Sequence, residues 1–314
     1  MSRTILFIGG TKFIGATLVD KFLEAGDNVW VFSRSAPKQK AVTYVAGDRN
    51  DPKSIRHWKE ILSNQQFDCI YDMCCYEPQQ AESLYSIIKE HTKRLVFFSS
   101  AAVYEKTNFF PLHEQSSPLG EHFSYGNYGT NKAAIEKIYT DNCRSDDIQL
   151  SIFRPHYILG AGDYFKRHHY FFSRLENDQE IQLPGNGQAL IQFAYAGDVV
   201  NLFLKVPFVQ KGQLEVVNIA SDTLISLRGV AELFAQKLQI TPNIKPINYE
   251  AHGLREDSFY DELFPFPNVN LVLDIQHAKE KYNFKPTEPS TYLNELYGDW
   301  LKARATYEQL PNKF

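Results

Sequence analysis

The hydrophobic positions of this chain fall into short apolar runs that alternate with longer stretches of helical spacing. Residues 4–8, TILFI, form the first run, which predicts a strand buried on both faces. Runs of the same kind occupy 28–32, 42–46, 67–73, 94–98 and 148–153. Between them, apolar residues recur at helical spacing over 16–23, over 54–62 behind Pro52, and from Pro78 to about 89. Strands alternating with helices over short connections predict an α/β fold built on a doubly wound parallel sheet. Beyond residue 163 the alternation fails. A polar, aromatic helix runs through 171–175, and 192–200 reads as a strand end entering a helix. A further strand is predicted at 216–220, and helices at 227–238, 274–282 and 291–302. There is no repeat of solenoid period and no low-complexity segment.

The first strand runs straight into Gly9, Gly10, Thr11, Lys12, Phe13, Ile14 and Gly15, and then into a helix. Gly9 permits a tight turn, and Gly15 lets the helix pack closely on the sheet. The helix N-terminus offers backbone N–H groups and a positive dipole end to a pyrophosphate. Strand, glycine turn and helix together open a Rossmann-type dinucleotide-binding unit, so residues 9–15 are candidate cofactor contacts. In the spacing G-x-x-G-x-x-G, Lys12 stands where the middle glycine would be. It is either an exposed lysine or a cation over the pyrophosphate or the 2′-phosphate of NADP.

The second strand ends in Ser33 and Arg34 with no acid. An acid there accepts from the ribose of NAD, so its absence favours NADP, with a surface arginine as the alternative. The third run ends in Gly47, Asp48 and Arg49. Asp48 is a candidate acceptor for an adenine amino group, or else the cap of the helix that follows; Arg49 is a further cofactor candidate. The fourth run ends in Met73, Cys74, Cys75 and Tyr76, placed to line the same groove. Residues 1–163 are expected to form the cofactor domain, with return segments near 190–222, and 164–314 mostly a smaller substrate-binding lobe.

With 314 residues, 43% of them hydrophobic, the chain can bury an ordinary globular core. A net charge of −4 gives no global field to attract nucleic acid or a membrane surface. No apolar stretch approaches the length of a membrane span, and the chain is expected to enter its first strand without a signal peptide. The four cysteines, Cys69, Cys74, Cys75 and Cys143, lack zinc spacing and read as reduced thiols of a cytoplasmic protein. His168 and His169 are adjacent, and neighbours on a helix face different ways, so no metal is expected.

Tyr128 and Lys132 are four apart on a helical segment, which puts them on one face. A phenol is a poor base at neutral pH; an ammonium beside it favours the phenolate, and the same lysine can hold the nicotinamide ribose. Ser100 follows the fifth strand at its C-terminal end, where parallel sheets place their sites, and its hydroxyl can donate to a reacting oxygen. Pro155 and His156 follow the sixth strand at the cleft mouth, where His156 is a contact for nicotinamide or substrate, or a polar loop histidine. Lys166, Arg167 and Arg174 are candidates for a diphosphate or are lobe surface.

These residues carry a resemblance. The glycine loop, Asp48, the run Ser99-Ser100-Ala101-Ala102-Val103-Tyr104, the Tyr128/Lys132 pair, Arg154-Pro155 and Gly197-Asp198-Val199 resemble the extended short-chain dehydrogenase/reductases over nearly the whole length. That is the NAD(P)-dependent sugar epimerase/dehydratase family. Gly9, Gly10 and Gly15 also fit the Gly-Gly-x-x-x-x-Gly loop of an atypical subgroup, whose members look like sugar dehydratases, isoflavone-reductase-like proteins and plastid-type mRNA-binding proteins. The resemblance implies NAD or NADP, catalysis by Ser100, Tyr128 and Lys132, and a sugar or nucleotide sugar as substrate; it leaves a homodimer open. Tyr125 competes for the tyrosine role, but Gly129, not lysine, stands four residues on. Sugar 4,6-dehydratases carry Asp-Glu where this chain has Ala101 and Ala102, so epimerisation or simple reduction fits better. The other reading is a catalytically silent NAD(P)-binding protein with a regulatory or RNA-binding role.

Overall fold

The computed structural model describes residues 2–120, 126–250 and 263–308. Tyr125 lies outside them. Its centre is a seven-stranded sheet with every neighbouring pair parallel. The chain builds it in the order β1 (Thr4–Ile8), α1 (Phe13–Glu24), β2 (Asn28–Ser33), β3 (Thr43–Ala46), α2 (Pro52–Leu62), β4 (Cys69–Asp72), α3 (Pro78–Ile88), β5 (Arg94–Phe98), α4 (Tyr128–Ser145) and β6 (Gln149–Pro155). The remaining elements are β7 (Tyr157–Leu159), α5 (Arg167–Glu176), β8 (Ile181–Leu183), β9 (Leu190–Ile191), β10 (Phe193–Tyr195), α6 (Ala196–Val209), β11 (Leu214–Ile219), β12 (Ile225–Ser226), α7 (Leu227–Leu238), β13 (Ile244–Pro246), α8 (Gln276–Tyr282) and α9 (Leu293–Glu308).

The strand order β11-β6-β5-β4-β1-β2-β3 reverses direction at β1, where β2 lies on one side and β4 on the other. That reversal opens a crevice beyond the strands' C-terminal ends. Ile5, Phe7 and Val31 pack with α1 and α6 on one face of the sheet. Leu6, Ile8 and Ile70 pack with α2, α3 and α4 on the other. Local signals explain several boundaries. Asp51 accepts from the backbone N–H groups of Lys53 and Ser54 and caps α2, with Pro52 at its first position. The cap is therefore Asp51 and not Asp48, whose carboxylate accepts from Asn50 N. Ser226 caps α7 through Gly229 N.

In the second half, β11 joins the main sheet beside β6, whereas β10 pairs with β7 in a separate two-stranded sheet. Phe171, Phe172, Phe193, Phe234, Leu296 and Trp300 centre another core, built by α5, α7, α9 and the short strands. The last two helices begin later than their spacing predicts. Asp274 accepts from Gln276 N just ahead of α8, and a 3-10 turn at Pro289–Tyr292 precedes α9. No helix among the described residues is long and apolar enough to cross a membrane.

Candidate active site

A cavity of about 890 Å³ lies beyond the C-terminal ends of β1, β2, β4, β5 and β6. Residues Gly9 to Gly15, Ser33, Arg34, Asp48, Arg49, Met73, Cys74, Ser100, Tyr128, Pro155 and His156 all line it. Lys132 lies behind the wall, 2% exposed.

The nucleotide end is shaped by missing side chains. Gly9 and Gly10 take φ of 81° and 76°, conformations that disfavour a Cβ. A Cβ on Gly15 would run into the Gly10 backbone. No side chain caps α1, so its leading N–H groups are left to another acceptor. This cradle fits a dinucleotide phosphate. Phe13 is held at φ 47°, a left-handed position costly for an aromatic residue, and its ring meets Tyr164 edge-on at 6.4 Å.

The residues expected to choose the cofactor divide into free and committed groups. Arg34 is 78% exposed at its side chain, 3.9 Å from the Asp48 carboxylate. Ser33 donates its hydroxyl to Ser35 O. Arg49 is buried and forks onto Asp72 at 2.7 and 3.1 Å, with a further bond to Gln80 O. Asp72 is held below the usual carboxylate range by that guanidinium, against burial, which pushes it up. Arg49 thus meets the cavity as a buttress with its planar fork already engaged. Cys74 packs against Gly9, whereas Cys75 turns into the core beneath the sheet. Trp58 is a wall residue that pattern reasoning missed; its helical spacing reads as core, and it is core, tilted against Phe32 with ring centroids 5.0 Å apart, while also facing the cavity.

At the other end, α4 is laced to the end of β5. Lys132 Nζ donates to Phe98 O at 2.7 Å, Ser99 Oγ donates to Glu136 Oε1 at 2.5 Å, and Ser100 Oγ, facing the same cavity as Tyr128, accepts from Ala102 N at 3.2 Å. Glu136 also receives the Arg154 guanidinium at 3.0 and 2.5 Å, which ties β6 to the same point. Burial pushes the Tyr128 phenol up, opposed by the nearby Ser100 hydroxyl and the positive Arg167. Burial holds the Lys132 ammonium down, at about 8, among the rings of Phe97, Tyr76 and Tyr128. Lys132 Nζ thus bonds a backbone carbonyl while standing 5.8 Å from the centre of the Tyr128 ring, and the charge of Arg167 also favours the phenolate.

His156 is not a mouth residue. It is buried, with Nε2 on Leu271 O at 2.7 Å and Nδ1 accepting from Tyr157 N, and desolvation drops it to about 3. It meets the cavity as a neutral ring. Lys166 and Arg167 line the cavity; Arg174 does not, its guanidinium lying 3.8 Å over the Tyr170 ring. Tyr164 and Phe165, unflagged by any pattern, form the exposed lobe side of the mouth. His168 and His169, expected to diverge, converge on one oxygen of Asp299.

A parallel sheet with strand order reversing at β1, and a glycine cradle at that reversal, define a Rossmann-type dinucleotide-binding protein. The chain belongs to the NAD dependent epimerase/dehydratase family, whose model matches residues 5–220. It is 25% identical over 302 residues to the chloroplast stem-loop binding protein of 41 kDa b of Arabidopsis thaliana, spanning 90% of this chain and 75% of that one. The UDP-glucose 4-epimerase of Thermotoga maritima, solved with UDP-glucose, superposes with a TM-score of 0.75 at 20% identity, over 97% of this chain and 99% of that one. The dTDP-glucose 4,6-dehydratase of Bacillus anthracis, solved with NAD, gives a TM-score of 0.77 at 15% identity, over 98% of each. These two structures share the fold.

Proposed function

We propose that the chain is an NAD(P)-dependent epimerase or oxidoreductase of a sugar or nucleotide sugar, working through Ser100, Tyr128 and Lys132. The observation that supports this reading is that Tyr128 and Ser100 both face the cavity that the glycine cradle opens. The bound nicotinamide supplies hydride transfer. Tyr128, as the phenolate, takes the proton of a substrate carbinol as hydride leaves its carbon, and as the phenol returns it when hydride comes back. Ser100 donates to the same oxygen and fixes its place. Lys132, behind the cavity wall, commits one of its three donors to Phe98 O and so braces the turn that presents Ser100.

Ala101 and Ala102 line the cavity and transfer no proton, which supports redox at a single carbinol over 4,6-dehydration. Arg34 supports the choice of NADP. To test the reading, cofactor-loaded protein is incubated with UDP- and dTDP-hexoses and the products are followed by NMR. Turnover that drops by about 10²–10⁴ in Tyr128→Phe agrees with it. Turnover equal in the two proteins contradicts it.

A second reading, stem-loop RNA binding, draws on the name of the Arabidopsis relative, which spans 90% of this chain. The net charge of −4 counts against it. Filter binding of a stem-loop RNA at low and moderate salt separates the two: retention that survives moderate salt favours RNA.

A further inference from the structure

Behind the wall of the cavity lies a cluster that this chemistry does not use. His168 and His169, in the first turn of α5, point Nε2 at the same oxygen of Asp299 on α9, at 2.9 and 3.0 Å. Their rings stand at 87° with centroids 4.4 Å apart, so the two neighbours reach one point from different directions. The donor atoms of all three residues lie within 4.8 Å of one another.

We propose that His168, His169 and Asp299 bind one divalent first-row transition ion, of which Zn²⁺ is the representative, clamping α9 to α5. Donors bonded to one ion at about 2.0–2.1 Å, at angles between a right angle and the tetrahedral, stand roughly 2.9–3.3 Å apart. Both nitrogen–oxygen separations fall in that range. Two imidazoles and a carboxylate suit zinc, cobalt or nickel better than the oxygen-seeking calcium or magnesium.

The surroundings agree. With Nδ1 buried and unpartnered, Nε2 is the nitrogen that each ring offers to Asp299 or to an ion. Three carboxyl groups gather here: Asp299, Glu295 one turn earlier on α9, and the buried Asp163, with Arg167 beside Asp163 at 3.6 Å. A dication balances such a set. The Asp299 side chain is 23% exposed, which gives an ion a way in and leaves room for water to complete its shell.

The same two acids hold the cavity wall. Glu295 accepts from Ala161 N at 2.9 Å and Asp299 from Gly162 N at 3.1 Å, at the root of the loop that carries Asp163, Tyr164 and Phe165 into the cavity. An ion on Asp299 therefore stiffens the lobe side of the cavity and leaves the glycine cradle alone.

The test uses the full chain, stripped with a chelator and dialysed. It is titrated with Zn²⁺ by calorimetry and with Co²⁺ by visible absorption, and its Tm is read with and without Zn²⁺. The expected result is one Zn²⁺ per chain, cobalt bands typical of mixed nitrogen and oxygen ligands, and a higher Tm with zinc. Asp299→Asn and His169→Gln should each weaken zinc at least tenfold. If a variant does not fold, the wild-type stoichiometry and cobalt spectrum decide. No stoichiometric binding by the stripped wild type overturns the assignment and leaves two histidines donating hydrogen bonds to Asp299. Folded variants that bind zinc as the wild type does show an adventitious ion only, at others of the nine histidines, and overturn it too.

Discussion

Replacing Lys132 with methionine removes a buried charge while keeping most of the stem's volume. Lys132 is 2% exposed, and desolvation brings its ammonium from 10.5 down to about 8. Below that range both the native and the unfolded chain hold the proton, and native burial costs about 3 kcal/mol at pH 7 by linkage. Between pH 8 and 10.5 the native chain has released the proton and the unfolded chain has not. Over that window this group makes wild-type stability rise with pH; by pH 9.5 about 2 kcal/mol of the cost is recovered. The variant has no such dependence. At pH 7 it escapes the desolvation but leaves Phe98 O without its donor, a loss of about 1–3 kcal/mol, so the two proteins should be nearly equal there. Urea melts at pH 7 and 9.5, read by tryptophan fluorescence, give the difference between the proteins, in which the other titrating groups cancel. The gap should move by about 2 kcal/mol in favour of the wild type at the higher pH. A gap that is constant or moves the other way would mean that Lys132 keeps its proton, and would refute the desolvation argument.

Trp58, on the cavity wall, should report cofactor binding by a change in fluorescence. In such titrations Arg34→Ala should weaken NADP at least tenfold more than NAD; equal losses would remove the 2′-phosphate assignment. Lys12→Gly should loosen the cofactor and flatten its salt dependence, since an exposed cation over phosphate is screened by ions; affinity unchanged at every salt concentration would make Lys12 plain surface. Gly15→Ala should cut cofactor affinity sharply, because its Cβ collides with the Gly10 backbone of the cradle; a variant that folds and binds normally would contradict the cradle.

Much of this architecture was legible in the apolar runs. Buried parallel strands read as continuous hydrophobic stretches, so β1, β2, β5 and β6 announce themselves within a residue or two. The glycine loop was legible because only a missing Cβ lets Gly15 sit on Gly10. What escaped was long-range. Whether Arg49 reaches a ligand or Asp72 depends on a contact 23 residues away, and His156 is silenced by Leu271 O, 115 residues on. The convergence of His168 and His169 needed Asp299 on α9, which no local rule supplies. Helical spacing placed Tyr128 and Lys132 on one face, but it could not say that burial would deliver the lysine to Phe98 O.

The central claim is that hydride leaves a substrate carbon in this cavity while the proton of that carbon's hydroxyl passes to Tyr128. The near-ultraviolet absorbance of reduced nicotinamide measures it directly. Nucleotide sugars are added to protein loaded with oxidised cofactor, in the wild type and in Tyr128→Phe, with cofactor occupancy matched by Trp58 fluorescence. The account predicts that one of these sugars produces bound reduced cofactor in the wild type, and that Tyr128→Phe slows its appearance by about 10²–10⁴. Equal rates in the two proteins, or no reduction by any nucleotide sugar at full cofactor occupancy, would contradict it.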